Sequence, residues 1–334
     1  MTMITAEINS ILDNLEDLIA DIDGQNILIT GGAGFLGSWL SAALLEMGAK
    51  VLCLNRGWPK PNIANLISND NFTFIKHDMT DPIKLKHSVD VVLQLASRSL
   101  PPDFTRIPLQ ILKANTFGVL NALEVAKEHE ARFLYTSAAA VYGNAIEIPT
   151  SEAYTGNVNT TGVDSCYAES KRCGESFVHA YQVEHDIDAR IARLFNTHGP
   201  QTRTDGKYAF GAVPHFVEQA LAGEPIIIFG DGSQTRSFCY VTDVITALLK
   251  LAFVDNLSGE VINIGNDEEL SINGYADLVN QLSNMNTPIE HRVDPAGESA
   301  RRLPDITKAR TLLKWKPKVN SESAILKFIE WFKQ

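Results

Sequence analysis

The sequence predicts an α/β fold built on a doubly wound parallel sheet, with a smaller, discontinuous α/β lobe attached. Three observations carry that expectation. Short apolar strands alternate with helical segments from Gln25 to about Pro200. A glycine-rich turn joins the first of those strands to the helix that follows it. Beyond Pro200 the spacing becomes irregular and richer in Gly and Pro, as expected of an appended lobe rather than further repeats of the pattern.

The elements follow in chain order. Residues 1–24 carry Ile8, Ile11, Leu12, Leu15, Leu18 and Ile19 at helical spacing with acids between them. That pattern predicts an amphipathic acidic helix packed on the main body or on a partner subunit. Asn26–Thr30 (NILIT) reads as a buried strand, and the segment after the glycines as a helix through Met47. Lys50–Leu54 and Phe72–Lys76 are the second and third strands. Asp90–Leu95 (DVVLQL) is a continuous apolar run, the signature of a central parallel strand. A helix over Leu109–Glu128, a strand over Arg132–Tyr135, a helix over Asp164–Glu184 and a strand over Arg190–Leu194 complete the alternation. In the remainder, strands at Ile226–Phe229 and Val261–Ile264 mix with helices near Asp243–Ala252, Ile272–Leu282 and Ser321–Lys333.

Composition narrows the function. The 334 residues hold 29 Lys and Arg against 40 Asp and Glu, a net charge of −11. Non-specific nucleic-acid and membrane-surface binding run on cationic patches, so neither partner is expected. No apolar run reaches the roughly 18 residues that span a bilayer, and no basic-then-apolar leader opens the chain. The four cysteines form no CxxC pair and have no histidines clustered near them. A structural zinc site or disulfide framework is therefore not expected, and a reducing cytoplasm suits the chain better.

The strand NILIT runs straight into Gly31-Gly32-Ala33-Gly34-Phe35-Leu36-Gly37. Glycines at 31, 34 and 37 keep such a turn tight and let backbone N–H groups approach a pyrophosphate. Phe35 and Leu36 lead into a helix whose N-terminus offers its positive dipole end. This is the Rossmann-type arrangement, and it assigns 25–200 as an NAD(P)-binding domain. Residues 1–24 are then an N-terminal helical extension. Residues 201–334 form mainly the substrate-binding lobe, with segments returning to the first domain. About 20 residues on, an acid usually bonds the adenosine ribose; here the second strand ends in Asn55 followed by Arg56. Asn55 can serve a ribose hydroxyl, which favours NAD. The lost carboxylate and the adjacent guanidinium are what a 2′-phosphate would favour, so NADP stays open. Asp78, after the third strand, is a candidate contact to the adenine.

Tyr167 and Lys171 lie in YAESK on an expected helix, and their i, i+4 spacing puts both on one face. An ammonium so placed depresses the phenol pKa and reaches the nicotinamide ribose. The tyrosine can then act as a base toward a sugar hydroxyl near neutral pH.

These motifs resemble those of the extended short-chain dehydrogenase/reductases that act on nucleotide sugars, from Gln25 to the C-terminus. GGAGFLGS, LASRS, Asn115 in KANTFGVLNAL, VYG, YAESKR, RLFNTHGP, GDGSQTRSFCYVTD and RRLPDI each have a family counterpart. GNVNTTGVDSCYAESKR and QTRSFCYV are most similar to the UDP-glucuronate decarboxylases. The resemblance implies C4 oxidation of the sugar by bound NAD(P), loss of carbon dioxide from the resulting β-keto acid, and return of the hydride. It places Met79, Leu95, Ala96, Ser97 and Asn115 with the cofactor, and Ser137, Ala138, Asn196, Arg236 and Arg302 with a UDP-sugar or another nucleotide-diphosphate sugar. It also implies a homodimer formed through helices flanking the tyrosine motif.

One stretch departs from the pattern. The family places Ser or Thr five residues before the glycine of VYG, and the decarboxylases and dehydratases place Glu three residues before it. Here Ala138 and Ala140 occupy those positions. Neither can carry a proton. Three alternatives stand: Ala138 is a substitution in a site otherwise like that of the 4-epimerases; Ser137, Thr136 or a water takes the role; or the chain binds nucleotide sugars with little turnover. A missing Glu argues against dehydration and weakens decarboxylation, whereas a 4-epimerase needs no such residue. Decarboxylase and epimerase both remain open on sequence.

Overall fold

Runs of β-branched and leucine side chains, with few polar interruptions, can be satisfied only where both faces of a sheet are covered. Seven strands, several of them such runs, form the central parallel sheet in a computed structural model that describes residues 3–57, 61–202, 211–293 and 301–334. They are β1 (Asn26–Thr30), β2 (Lys50–Asn55), β3 (Phe72–Lys76), β4 (Val91–Gln94), β5 (Arg132–Ala138), β6 (Ala189–Leu194) and β7 (Val261–Ile264). The strand order is β7-β6-β5-β4-β1-β2-β3. β1 lies between β2 and β4, with Ile27 opposite Val51 on one side and Val91 on the other. The chain thus winds outward to β3 and then crosses to β4. At that reversal the connections leave β1 and β4 in opposite directions, opening a crevice beyond their carboxyl ends.

Alternation decides which side chain meets which layer. Leu28, Val92 and Phe133 share a core with Val119, Ala122 and Leu123 of the helix Pro108–Glu128 and Val178 of the helix Ser165–His185. Ile27 and Ile29 point the other way and are equally buried, and the helix Phe35–Glu46 packs on β1 and β2.

The described chain divides into two compact units. The first takes residues 1–141, 158–193 and 245–262; the second takes 142–157, 194–244 and 263–334. In the first, the returning segment is fastened by Arg190 of β6, which is 1% exposed and donates to the carbonyls of Leu251, Ala252 and Val254. These lie at the end of the helix Val241–Phe253, where unsatisfied carbonyls favour a cation. In the second unit, the helices Ala212–Ala222, Ile272–Ser283 and Ser321–Phe332 enclose a core of Phe216, Val217, Tyr275, Val279, Ile325 and Phe328.

Several elements differ from expectation, among them the longer β5 and the helices Pro101–Arg106 and Thr307–Leu312. The N-terminal segment is a helix over Met3–Leu12, a 3-10 turn over Glu16–Leu18 and a short helix over Ile19–Ile22 rather than a single rod. The polar pair Asp13-Asn14 ends the first piece, with Asn14 Nδ2 donating back to Ser10 O at 2.6 Å. The buried stripe continues across the break through Ile8, Ile11, Leu15, Leu18 and Ile22, and the first helix packs against Phe35–Glu46. The helix Ala212–Ala222 was not evident from periodicity, because Gly211 at φ +94° and Pro214 read as loop punctuation. Pro214 in fact occupies the first turn, where no backbone N–H is needed. Among the described residues, no helix is long and apolar enough to cross a membrane.

Ile11 is fully buried within the first unit. Ile11→Ala is therefore expected to destabilise that unit by about 2–5 kcal/mol, read as a lowered urea midpoint. An unchanged midpoint would mean that the N-terminal segment contributes nothing to the fold.

Candidate active site

The glycine turn is fixed by close approach on three sides. Gly31 has φ +68°, and a Cβ there would sit 2.9 Å from Ala96 Cα. A Cβ on Gly37 would meet Gly31 O at 2.4 Å and Gly32 Cα at 2.7 Å. Gly34 is the N-cap of the helix Phe35–Glu46 and supplies no side-chain cap, so the first-turn N–H groups at Phe35, Leu36 and Gly37 stay available for an anion. A close-packed turn with an uncapped helix start fits a dinucleotide pyrophosphate.

The ends of β2 and β3 come together beside it. Asn55 O accepts from His77 N at 3.0 Å, and Arg56 lies 3.9 Å from the Asp78 carboxylate, both side chains exposed. Asp78 Oδ1 also accepts from Thr80 N and Oγ1 at 3.0 Å each. A carboxylate beside Arg56 offsets the charge that a 2′-phosphate would need, which suits NAD. Met79 is buried against Gly118, and its carbonyl accepts from Asn121.

A ladder of buried polar groups crosses the carboxyl ends of β1, β4 and β5. The Thr30 hydroxyl donates to Gln94 Oε1 at 2.5 Å and accepts from the N–H groups of Leu95 and Ala96 at 3.1 Å each. Thr136 Oγ1 donates to Gln94 O at 2.9 Å, and Lys171 Nζ donates to Thr136 O at 2.8 Å. Ser97 Oγ is buried without a hydrogen-bond partner among the described residues, as is Asn115 Oδ1. Asn115 Nδ2 donates to Ser170 Oγ at 3.0 Å, and Ser170 Oγ donates to Tyr167 O at 2.9 Å.

Tyr167 and Lys171 share one face of the helix Ser165–His185, as the spacing required. Lys171 is 3% exposed, and its Nζ stands 5.0 Å from the Tyr135 ring centre and 5.9 Å from that of Tyr167. Burial pushes its pKa down to about 7, and the Glu175 carboxylate opposes that shift. Phe104 stacks on Tyr167, with ring centres 5.4 Å apart and planes 14° from parallel. Ala138 and Ala140 are half-buried at the end of β5 and just beyond it. The two neighbouring hydroxyls are engaged elsewhere: Thr136 with Gln94, and Ser137 donating to Glu175 Oε1 at 2.5 Å.

In the second unit, Arg236 and Arg302 lie directly opposite one another on the paired strands Thr235–Arg236 and Arg301–Arg302. Arg236 is 4% exposed and donates to Thr235 O at 2.8 Å. Neighbouring Arg301 takes the Glu269 carboxylate at 2.6 Å and holds its pKa below the usual range. The Glu269 carboxylate is also within electrostatic reach of Arg236. Asn196 is half-buried and accepts from Cys239 N through its carbonyl at 2.8 Å.

Sequence reading missed Thr30, Gln94, Phe104, Tyr135, Glu175 and Arg193. A polar residue closing each of two apolar strands was the visible signal for Thr30 and Gln94. Glu175 stands one turn after Lys171, which was equally visible.

Sheet order, glycine turn and buried lysine together define a dinucleotide-binding protein of the extended short-chain dehydrogenase/reductase kind. The chain belongs to the NAD-dependent epimerase/dehydratase family, whose profile matches residues 27–265. It is 39% identical over 319 residues to UDP-glucuronic acid decarboxylase 1 of Xenopus tropicalis, covering 95% of this chain and 74% of that one. It is 39% identical over 298 residues to UDP-glucuronic acid decarboxylase 5 of Arabidopsis thaliana, covering 88% and 85%. Among solved structures it resembles the UDP-glucuronic acid 4-epimerase of Bacillus cereus in complex with UDP-glucuronic acid and NAD, with a TM-score of 0.82, 30% identity and coverage of 93% and 99%.

Gly37→Ala is expected to weaken NAD binding at least tenfold by calorimetry, because the added Cβ forces the turn open. Binding of NAD at wild-type affinity would remove the turn from the cofactor site.

Proposed function

We propose that the chain modifies UDP-sugars through transient oxidation at C4, with UDP-glucuronate decarboxylation as the reaction. The buried Lys171 behind Tyr167, joined by the polar ladder to the glycine turn, is the observation that carries this reading. NAD, when bound, supplies a reversible hydride acceptor at C4. Tyr167 takes the proton of the C4 hydroxyl, and the Lys171 ammonium lowers the cost of the phenolate that forms. With C4 oxidised, the C6 carboxylate is β to a ketone and leaves as carbon dioxide without a strong base, and the enolate left behind takes a proton from water at C5. Tyr167 then returns the proton when C4 is reduced. Arg236 and Arg302 offer paired cations to the diphosphate, and Asn196 serves the same ligand. The relatives at 39% identity support decarboxylation.

Ala140 favours a second reading, UDP-glucuronate or UDP-hexose 4-epimerisation. That reaction needs no carboxylate at position 140, and a 4-epimerase is among the similar structures. Four free cysteines agree with a cytoplasmic setting. The exposed Leu109, Phe117 and Val183 on the two packed helices Pro108–Glu128 and Ser165–His185 agree with a homodimer.

Incubation with UDP-glucuronate, followed by mass spectrometry and NMR, separates these readings. The expected product has lost the mass of carbon dioxide. An unchanged mass with inverted C4 selects the epimerase, and saturable binding without product selects a binding protein. Ala138→Ser is expected to raise kcat by about 10²–10³, the scale of one added acid–base group. No gain would show that the site does not use a hydroxyl there.

A further inference from the structure

Glu175 stands one helical turn beyond Lys171, and the two side chains engage consecutive residues of β5. Lys171 Nζ donates to Thr136 O, while Ser137 Oγ donates to Glu175 Oε1. Arg193, near the end of β6, closes on the same carboxylate as a fork, Nε to Oε1 at 3.0 Å and Nη2 to Oε2 at 2.7 Å. Both side chains of this pair are 14% exposed. Three donors on one carboxylate hold it in place. A pair so far removed from water adds little to stability over an apolar pair of the same volume. Its placement beside an ammonium gives it another use.

Among the described residues, the titratable groups around that ammonium are few. Tyr167 and Glu175 face it from its own helix and Tyr135 from β5, with Arg193 of β6 and Cys173 lying beyond them. Glu175 is the only anionic carboxylate among them. Arg193 turns its fork toward Glu175 and so orients the anion.

We propose that Glu175, oriented by Arg193 and Ser137, is a positioning residue that keeps Lys171 in its ammonium form and thereby sets the pH at which Tyr167 gives up its proton. The proposal rests on Tyr167 and Lys171 being the acid–base pair. Burial alone drives Lys171 toward the neutral amine, and only the Glu175 charge acts against it. Without that carboxylate a larger share of Lys171 is neutral at pH 7. A neutral amine no longer favours the phenolate, so the Tyr167 pKa rises. The low-pH limb of a rate profile then moves to higher pH, while the high-pH limb, set by loss of the ammonium, moves to lower pH. The working window narrows from both sides.

The test is an NMR titration of the full chain with NAD, its tyrosines labelled at Cζ, with Tyr167→Phe assigning the resonance. Glu175→Gln is expected to raise the Tyr167 midpoint by about one pH unit, and Lys171→Met to raise it at least as far. Glu175→Asp, which keeps the charge, is expected to restore most of the shift. If Glu175→Gln leaves the midpoint in place while Lys171→Met moves it, the proposal is overturned and the Tyr–Lys pair stands. If neither moves it, the pair itself is wrong and the proposal goes with it. Should Glu175→Gln fail to fold, Glu175→Gln with Arg193→Met removes both ions without stranding one. The same shift is expected there, and its absence overturns the proposal.

Discussion

A chain of hydrogen bonds through groups shielded from water ties the end of β1, where the glycine turn begins, to Lys171. Thr30, Gln94, Thr136 and Lys171 are each no more than 5% exposed. Four polar side chains at such depth are costly unless every strong donor is satisfied. Thr30 meets that condition in full, since its hydroxyl gives one bond and takes two. Leu95 and Ala96, held by those bonds, are the residues that Gly31 approaches most closely. The register of β1 against β4 therefore places the turn, and the register of β4 against β5 places Thr136 and so the lysine. A slip in either would displace the glycine turn and Lys171 relative to one another.

Charge is distributed against the grain of the whole molecule. A chain with a net charge of −11 repels an anionic ligand at long range, screened beyond roughly 8–10 Å. In the proposed function, capture of a diphosphate then depends on local cations with fixed geometry. Arg236 and Arg302 are held side by side by strand register, with Glu269 occupied by Arg301. Arg193 is spent differently, on a carboxylate of the protein itself. Guanidinium forks suit both tasks because their donors are planar and preset.

What the sequence disclosed follows from what is local. NILIT and the VVLQ of DVVLQL announce strands because four or five neighbouring residues lie in nearly the same buried environment. The glycine turn and the YAESK helix are legible for the same reason, their geometry being fixed within seven residues or one helical turn. The break at Asp13-Asn14 was hidden because the buried stripe keeps its spacing across it. Extension of β5 to Ala138 was hidden because Ser137 and Ala138 carry no strand preference, and sheet pairing decides their conformation. The Ser137–Glu175–Arg193 cluster unites three elements, so no spacing in the chain could reveal it. Gln94 was visible as a polar residue in an apolar run, but its partners Thr30 and Thr136 stand 64 and 42 positions away.

The two alanines bear on the choice of reaction through the number of protons the site must handle. Elimination of a C6 hydroxyl requires one group to remove a proton at C5 and another to protonate the leaving oxygen. Ala138 and Ala140 offer neither, and Ser137 is bonded to Glu175 while Thr136 is bonded to Gln94. Oxidation at C4 followed by re-reduction needs one residue that moves one proton out and back, and decarboxylation adds only a proton at C5, which water can supply. In the proposed function Tyr167 meets that need when Lys171 stays charged. Burial of that lysine strengthens its pull on the phenolate and also makes its charge harder to keep. The carboxylate one turn further along the helix therefore matters more here than it would in a site with a second hydroxyl to share the proton.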